Sequence, residues 1–367
     1  MRRGAILIGA WLLLGAFADA AAGRDAGTAA ADDDQFASPS TQPPEPGEQY
    51  PASMEEQERD NRPEPPRRRP RESADWRLTV DASVVADSNV TNSTDRETID
   101  LTVDGQVLPV PLDPSLREQS GIGVGVSAHL RGRIPVARGV SAAVDAEGFA
   151  LEQEGERSDD ASALLAAGVE LAGGNGATVL VQVTGFDRRH AGVSAMRGVG
   201  VRGRLRQPVG EGQAVSLLVD ARFFDSDYGE EFGGTEAGAY LSYEAVLDPN
   251  LTGSLGVFAR GSWLGVDAYS SREFGAHGGL NHYLSADLVG GISGGVSRLL
   301  FDGPIPILSA DPRSDWRWYG SVYVATREPV LIGLTPSLTY TYNRTGSSIE
   351  YYRADRHRLR FGLSRTF

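Results

Sequence analysis

The residues with the most potential for chemistry are five histidines: His129, His190, His277, His282 and His357. His277 and His282 are five positions apart, which on a strand places them on opposite faces, so they do not form a metal-ligand pair. The chain also has no cysteine that would complete a zinc or iron site. We therefore predict no metal site.

Two further features that resemble enzyme motifs are better explained by sheet structure. The glycine-rich run at residues 121–125 lies inside an alternating strand pattern with no helix after it, so packing explains it better than a nucleotide loop does. The serines, histidines and aspartates are too scattered for a triad to be predicted from spacing. We predict that the protein is not an enzyme and binds no cofactor.

Charged residues are the remaining candidates for function. The cluster at residues 187–190 (Asp-Arg-Arg-His) lies at the end of a predicted strand, beside an external loop. There it would either contact lipopolysaccharide phosphates or form a solvated loop rim. Six others are predicted to face a polar lumen, which suits an open pore, a plugged pore or a protein-conducting channel equally. These six residues are Asp81, Glu147, Arg202, Arg204, Arg222 and Arg260.

The beginning of the chain has the pattern of an export signal. Arg2 and Arg3 are followed by an apolar stretch at residues 5–17, too short to span a bilayer, and by small residues at cleavage-site spacing. We predict a signal peptide over residues 1–20. Residues 21–74 are rich in Ala, Asp, Glu, Pro and Arg, which predicts a disordered periplasmic arm, either a docking arm or a passive linker.

Composition limits the remaining possibilities. The formal charge of −14 argues against a nucleic-acid partner, because phosphate binding requires clustered Lys and Arg. After the signal, no window is apolar enough for a transmembrane helix. A closed sheet is then the one way this chain would pair all its backbone polar groups in lipid.

Strict period-two alternation from Trp76 onward predicts strands with one apolar face. Marking each run between turn signals gives about 14 strands of about ten to thirteen residues, long enough to cross a tilted hydrocarbon core. Short connections, such as residues 133–137, 173–176, 207–212 and 248–250, alternate with longer acidic ones, including residues 87–118 and 302–314. The predicted fold is all-β, a transmembrane antiparallel up-and-down barrel over residues 75–367, located in the outer membrane of a Gram-negative cell.

The last strand carries its own signal. Leu359, Phe361 and Leu363 alternate up to the C-terminal Phe367, the form of the segment read by the outer-membrane assembly machinery. Aromatic residues toward strand ends fit interfacial girdles, and these features favour a membrane barrel over a water-soluble β-sandwich.

Two segments resemble the barrel domain of the surface lipoprotein assembly modifier family. The first is the Asp87-Ser88-Asn89-Val90 element after the opening strand, and the second is the closing hairpin of residues 311–367. The resemblance implies a 14-stranded barrel that helps to move lipoproteins to the cell surface, and it supplies no catalytic residues. Family members usually carry a helical repeat domain before the barrel, whereas this chain has the Pro-rich arm in that place.

We therefore expect a barrel that assists the translocation or surface display of a partner lipoprotein or a small secreted protein. Its membrane partners would be outer-membrane lipid and lipopolysaccharide. Two alternatives are a diffusion porin for small solutes and a structural or adhesive surface barrel.

Overall fold

The computed structural model describes residues 74–103, 106–154, 159–330 and 332–367. The predicted signal peptide (residues 1–20) and all of the predicted arm before Ala74 lie outside these described residues. Among the described residues, no helix is long and apolar enough to cross a membrane.

Fourteen strands form one closed antiparallel barrel, and two more form a separate hairpin between the first and second barrel strands. The barrel strands are β1 (Asp75–Asp87), β4 (Gly121–Ala137), β5 (Val140–Gln153), β6 (Asp160–Ala172), β7 (Thr178–His190), β8 (Val193–Gly210), β9 (Gln213–Asp225), β10 (Gly234–Asp248), β11 (Leu251–Leu264), β12 (Ser271–Tyr283), β13 (Leu288–Phe301), β14 (Ser314–Thr326), β15 (Thr335–Ser347) and β16 (Ala354–Thr366). The hairpin strands are β2 (Thr98–Val103) and β3 (Gln106–Pro111).

Each barrel strand pairs with its neighbours in the chain, and β1 closes the barrel by pairing with β16. The all-β, up-and-down barrel of 14 strands is therefore confirmed. The predicted length of about ten to thirteen residues fits β1, which has 13, but is too short for β4 and β8, which have 17 and 18. The apolar run that identifies a strand covers only the part facing hydrocarbon, whereas the hydrogen-bond ladder continues beyond it.

Side chains alternate between an outer wall, which carries the exposed apolar row, and an interior wall. On β1, Val84 is 50% exposed on the outer wall, whereas Asp81 is 4% exposed on the interior wall. The same alternation places Val124 of β4 and Val181 of β7 on the outer wall, where both are exposed. Large exposed apolar side chains along a closed sheet are favourable only where lipid surrounds them.

The two ends of the barrel differ in their connections. One end, called here the turn rim, carries the first residue of β1 and the last residue of β16. It also carries short turns such as residues 138–139, 211–212 and 249–250. The opposite end, the loop rim, carries the longer connections 88–120, 226–233 and 302–313. Each rim has an exception: only residues 191–192 join β7 to β8 at the loop rim, and residues 327–334 at the turn rim are as many as residues 226–233. In outer-membrane barrels the short turns are periplasmic and the long loops face outward.

Two predicted turns are wrong in their boundaries. Residues 133–137 belong to β4, and residues 207–210 belong to β8. Pro135 and Pro208 each lie beside a shift in strand register, where a proline fits because the ladder is already interrupted. The chain reverses only after β4 and β8 end, where Gly139 and Gly212 adopt positive φ angles of 72° and 65°.

The hairpin of β2 and β3 lies within the first long connection of the loop rim. The Thr102 amide on the outer edge of β2 donates to the Ile307 carbonyl in the 302–313 loop at 2.8 Å. The Leu112 N–H donates to the Glu97 backbone carbonyl, so Leu112 bonds toward β2. The backbone nitrogens of Pro109 and Pro111, at alternate positions, therefore lie on the outer edge of β3. Prolines at an edge remove the donors that another strand would pair with, so this edge is protected from unwanted pairing.

Candidate functional site at the closing seam

The seam, defined here as the ladder between β1 and β16, is the shorter of the two ladders that β1 makes. It pairs nine residues of β1, from Thr79 opposite Thr366 to Asp87 opposite Arg358, whereas the ladder with β4 pairs thirteen. Reciprocal backbone bonds between Leu78 and Phe367 extend the seam at the turn rim. The seam is closed, but fewer residue pairs hold it than hold the other edge of β1.

Ion pairs reinforce the seam on the interior wall. Arg360 of β16 donates to Asp81 in the middle of β1. At the loop rim, Arg356 and Arg358 both donate to the Asp87 carboxylate, at 2.7 and 2.9 Å. Asp87 is buried, so these charge-assisted bonds are shielded from the full screening of water. Two acidic residues of β1 thus face three arginines of β16.

The Asp-Ser-Asn-Val element forms the loop-rim end of the seam. Ser88 donates its backbone N–H to the His357 carbonyl and accepts from the His357 N–H at its hydroxyl, both at 2.9 Å. The fully buried Asn89 side chain donates to the carbonyls of Ser93 at 2.8 Å and Asp355 at 3.0 Å. The Val90 N–H donates to the Gln119 carbonyl, which attaches the element to the connection just before β4. The two segments that resemble a known family therefore contact each other directly.

The outer wall beside the seam contains a shallow groove. Its volume is about 490 Å³, and its lining includes the small residues Ala86 and Ser88 between Ile122 on one side and Leu359 on the other. On the same wall, Leu359, Phe361 and Phe367 are exposed and Leu363 is half-buried. Their role as an assembly signal is a prediction.

The six residues predicted to line a lumen lie on the interior wall in several local clusters. Arg202 donates to the side-chain Oε1 of Gln182 at 3.1 Å, and both side chains approach Asp145. Asp145 also pairs with Arg131 and Arg133 at 3.6 and 3.2 Å, so one buried carboxylate joins strands β4, β5, β7 and β8. That these charges border an aqueous space is a prediction.

Three of the other predicted lining residues have partners on their own strand or on a neighbouring strand. Glu147 lies 3.8 Å from His129, and Arg222 lies 3.4 Å from Asp220 on its own strand. Arg260 pairs with the buried Glu273 at 2.6 Å. Arg204 lies on the same face of β8 as Arg202, which is two residues away. Charges of both signs are therefore interspersed around the interior wall.

Sequence reasoning missed the arginines of β16 and the role of Asp145 in joining four strands. The signal for the first was present, because Arg356, Arg358 and Arg360 alternate with the outward apolar row of the last strand. The contacts of Asp145 had a weaker signal in the sequence, since Asp145 of β5 reaches Arg202 of β8 only once strands β5 to β8 are paired in their final register.

The cluster at residues 187–190 forms ion pairs near the loop rim. Arg188 pairs with Asp160 at 3.0 Å and Arg189 with Asp187 at 3.1 Å, while the Ser194 hydroxyl donates to Asp187. The carboxylates of Asp160 and Asp187 thus balance the charges of Arg188 and Arg189 within the protein. This fits the solvated rim, one of the two predicted roles of the cluster.

The described part of the chain has no side-chain arrangement typical of a metal site or of an activated nucleophile. No group of three or more potential metal ligands forms there. Residues 291–295 (Gly-Ile-Ser-Gly-Gly) match the G-x-S-x-G pattern but lie within β13. A nucleophile elbow requires a sharp turn from a strand into a helix, so this match is not one.

Comparisons with known proteins give one family. Residues 76–367 match the family described as surface lipoprotein assembly modifier. No curated protein matches the chain. The outer membrane channel DcaP of Acinetobacter baumannii is 12% identical, with a TM-score of 0.44 over 81% of this chain and 99% of that one. The COG4313 outer membrane channel from Pseudomonas putida F1 is 12% identical, with a TM-score of 0.41 over 79% and 95%. Neither similarity bears on what this chain does.

Proposed function

This chain belongs to the surface lipoprotein assembly modifier family, and from that membership we propose that its outer-membrane barrel assists the translocation or surface display of a partner protein. The partner class is a surface lipoprotein or a small secreted protein. The observation that carries the proposal is the position of the family-like element, Asp87 to Val90, at the loop-rim end of the seam.

The proposed mechanism is separation of β1 from β16. Separation breaks a ladder of nine residue pairs and the ion pairs at Asp81 and Asp87, and it leaves two strand edges without partners. An extended segment of the client then pairs with an exposed edge, as peptides do when they add a strand to a sheet. The edges differ in charge, because the β1 edge carries aspartates and the β16 edge carries arginines.

This role requires no covalent bond to be made or broken, and we propose no enzymatic activity. The signal peptide would direct export, and the alternating residues from Leu359 to Phe367 would be read by the outer-membrane assembly machinery. The Pro-rich arm at residues 21–74 would lie in the periplasm, on the same side as the turn rim.

A diffusion porin is the second candidate, and the charged interior wall favours it. Side chains such as Asp145, Arg202 and Glu273 make that wall polar, as in water-filled barrels. Stable unitary conductance of the purified barrel in a planar bilayer would support the porin. A closed barrel whose loops are needed for binding to other cells would instead support an adhesive surface role.

Protease shaving of intact cells, with and without this gene, tests the proposed function. We expect at least one protein to lose its protease-accessible surface fraction when the gene is deleted, while its total amount in the cell is retained. An unchanged set of exposed proteins would contradict assisted display. Complementation with the wild-type gene controls for indirect effects of the deletion.

A further inference from the structure

The outer wall near the loop rim carries a basic and aromatic patch on β13, β14 and β15. Arg298 of β13 lies opposite Trp316 of β14, and Arg344 of β15 lies opposite Trp318. All four residues share the face that carries the exposed apolar side chains, as Leu300 and Val322 show. This patch, called here the Arg298–Arg344 patch, therefore faces the membrane.

The two tryptophans fix the depth of the patch. Their rings stack at 6.2 Å between centroids with planes 23° apart, and the two residues are 45% and 41% exposed. Exposed tryptophans on the outside of a barrel lie at the boundary between hydrocarbon and headgroups. Because the loop rim is the outward-facing end, this boundary belongs to the outer leaflet.

The charges of the patch are incompletely balanced by the protein. Among the described residues, Arg298 is paired with no carboxylate: it donates to the Ser314 hydroxyl at 2.9 Å and lies over the Trp316 ring at 5.1 Å. Arg344 lies 3.7 Å from Asp355 in an exposed pair, and the Tyr342 hydroxyl donates to the same carboxylate at 2.8 Å. Both guanidinium groups therefore retain donors for an outside anion.

A cation on the lipid-facing wall is unfavourable unless the membrane supplies an anion at that depth. We infer that the Arg298–Arg344 patch binds a phosphate group of the phosphorylated glycolipid of the outer leaflet, lipopolysaccharide. The planar guanidinium groups match phosphate oxygens geometrically, and the tryptophans hold the site at headgroup level. This inference is independent of the translocation proposal.

Arg272 on β12 supplies a matched control. It also faces outward near the loop rim and has a highly exposed side chain, but Asp302 pairs with it at 2.9 Å. Its charge is thus already neutralised by the protein. Replacing Arg272 removes one outward arginine without removing a donor that the inference assigns to phosphate.

The test is binding of purified lipopolysaccharide to the barrel in detergent, with intact and dephosphorylated lipopolysaccharide as separate probes. The double variant Arg298→Gln/Arg344→Gln should weaken binding of the intact glycolipid at least about tenfold, since both substitutions remove charge-assisted bonds to phosphate. Arg272→Gln should stay within about twofold of wild type. Dephosphorylated lipopolysaccharide should bind wild type as weakly as the intact form binds the double variant.

Equal binding by wild type and the double variant would overturn the inference, as would an equal loss in Arg272→Gln. Displacement of lipopolysaccharide by inorganic phosphate at the same concentration would also overturn it, because the site would then bind a free anion. Folding of each variant is checked by its heat-dependent gel migration. If the double variant does not fold, the exposed Arg344→Gln alone serves, with an expected loss of about threefold.

Discussion

The guanidinium of Arg356 lies 2.7 Å from the carboxylate of Asp87, although the two residues are 269 positions apart in the chain. This contact joins the last strand to the first at the loop rim. Because Arg358 contacts the same buried carboxylate at 2.9 Å, Asp87 is the central electrostatic contact of the seam at this end.

Asp87→Asn should destabilise the folded barrel by about 2–3 kcal/mol, because it leaves two arginines facing a neutral side chain. The measurement is the free energy of unfolding in detergent, followed by heat- or urea-dependent gel migration. Asp302→Asn, which breaks the exposed pair with Arg272, is the control and should change it by less than about 1 kcal/mol. An Asp87 variant as stable as this control would contradict the stabilisation of the closed seam by the ion pairs of Asp87 with Arg356 and Arg358.

Asn89→Ala should loosen the loop-rim end of the seam without unfolding the barrel. The variant loses the hydrogen bonds to the Ser93 and Asp355 carbonyls and leaves both acceptors unpaired, at a cost of about 1–3 kcal/mol. Faster hydrogen exchange at the start of β16 than in β10 would report this local opening. Asn175→Ala, in an exposed turn, should leave exchange at β16 unchanged. Uniform acceleration over all strands would instead mean global destabilisation.

The strands were predictable because their two faces meet different surroundings. The alternation of Trp76, Leu78 and Val80 with polar residues indicates a strand with one face toward lipid. The same alternation along the chain predicts the number of strands and the all-β fold. The turn boundaries at Pro135 and Pro208 were not predictable in this way, since a proline reads as a turn although bulges also accept it.

The seam contacts were less predictable than the strands. The register of β1 against β16 is set by closure of the whole sheet, so no local pattern places Arg356 beside Asp87. The same limit applies to Asp145, whose partners Arg131 and Arg202 come from different strands. Sequence patterns indicate which face a charge occupies, but not which charge it meets.

Arg313→Lys should release the loops 302–313 and 348–353 from each other. The Arg313 side chain is 3% exposed; it lies over the rings of Phe301 and Tyr352 and pairs with Asp315 at 2.6 Å. Lysine keeps the charge but loses planar stacking and the two-point contact with the carboxylate.

Limited proteolysis of the folded barrel measures the Arg313→Lys effect, and we expect cleavage within these two loops to accelerate several-fold. Arg197→Lys, at an exposed pair 3.7 Å from Asp227, is the control and should leave the cleavage pattern unchanged. Loops as resistant as those of wild type would contradict the assigned role of Arg313.

Phe367→Ala should slow assembly in cells while leaving the purified, refolded barrel nearly as stable as wild type. Phe367 is 63% exposed, and its backbone, which the substitution retains, makes the bonds to Leu78. The measurements are the folded fraction in outer membranes after a short induction and the unfolding free energy in detergent. Leu338→Ala also removes an exposed, outward-facing apolar side chain, here from β15, and should not slow assembly. Equal assembly of the two variants would contradict a terminal signal.

The most direct test of the proposed mechanism is a reversible crosslink across the seam. Ser83 faces Gly362 in the seam ladder, and the chain has no native cysteine, so Ser83→Cys/Gly362→Cys gives one disulfide between β1 and β16. Ser83→Cys/Gly125→Cys, which shares one substitution but links β1 to β4, is the matched control.

The decisive measurement is the protease-accessible fraction of the proteins whose display depends on this gene, in cells carrying either crosslinked barrel. If β1 and β16 must separate, the seam disulfide should abolish display, reductant should restore it, and the β1–β4 disulfide should have no effect. Full display with the seam disulfide formed would contradict separation of these strands as the route.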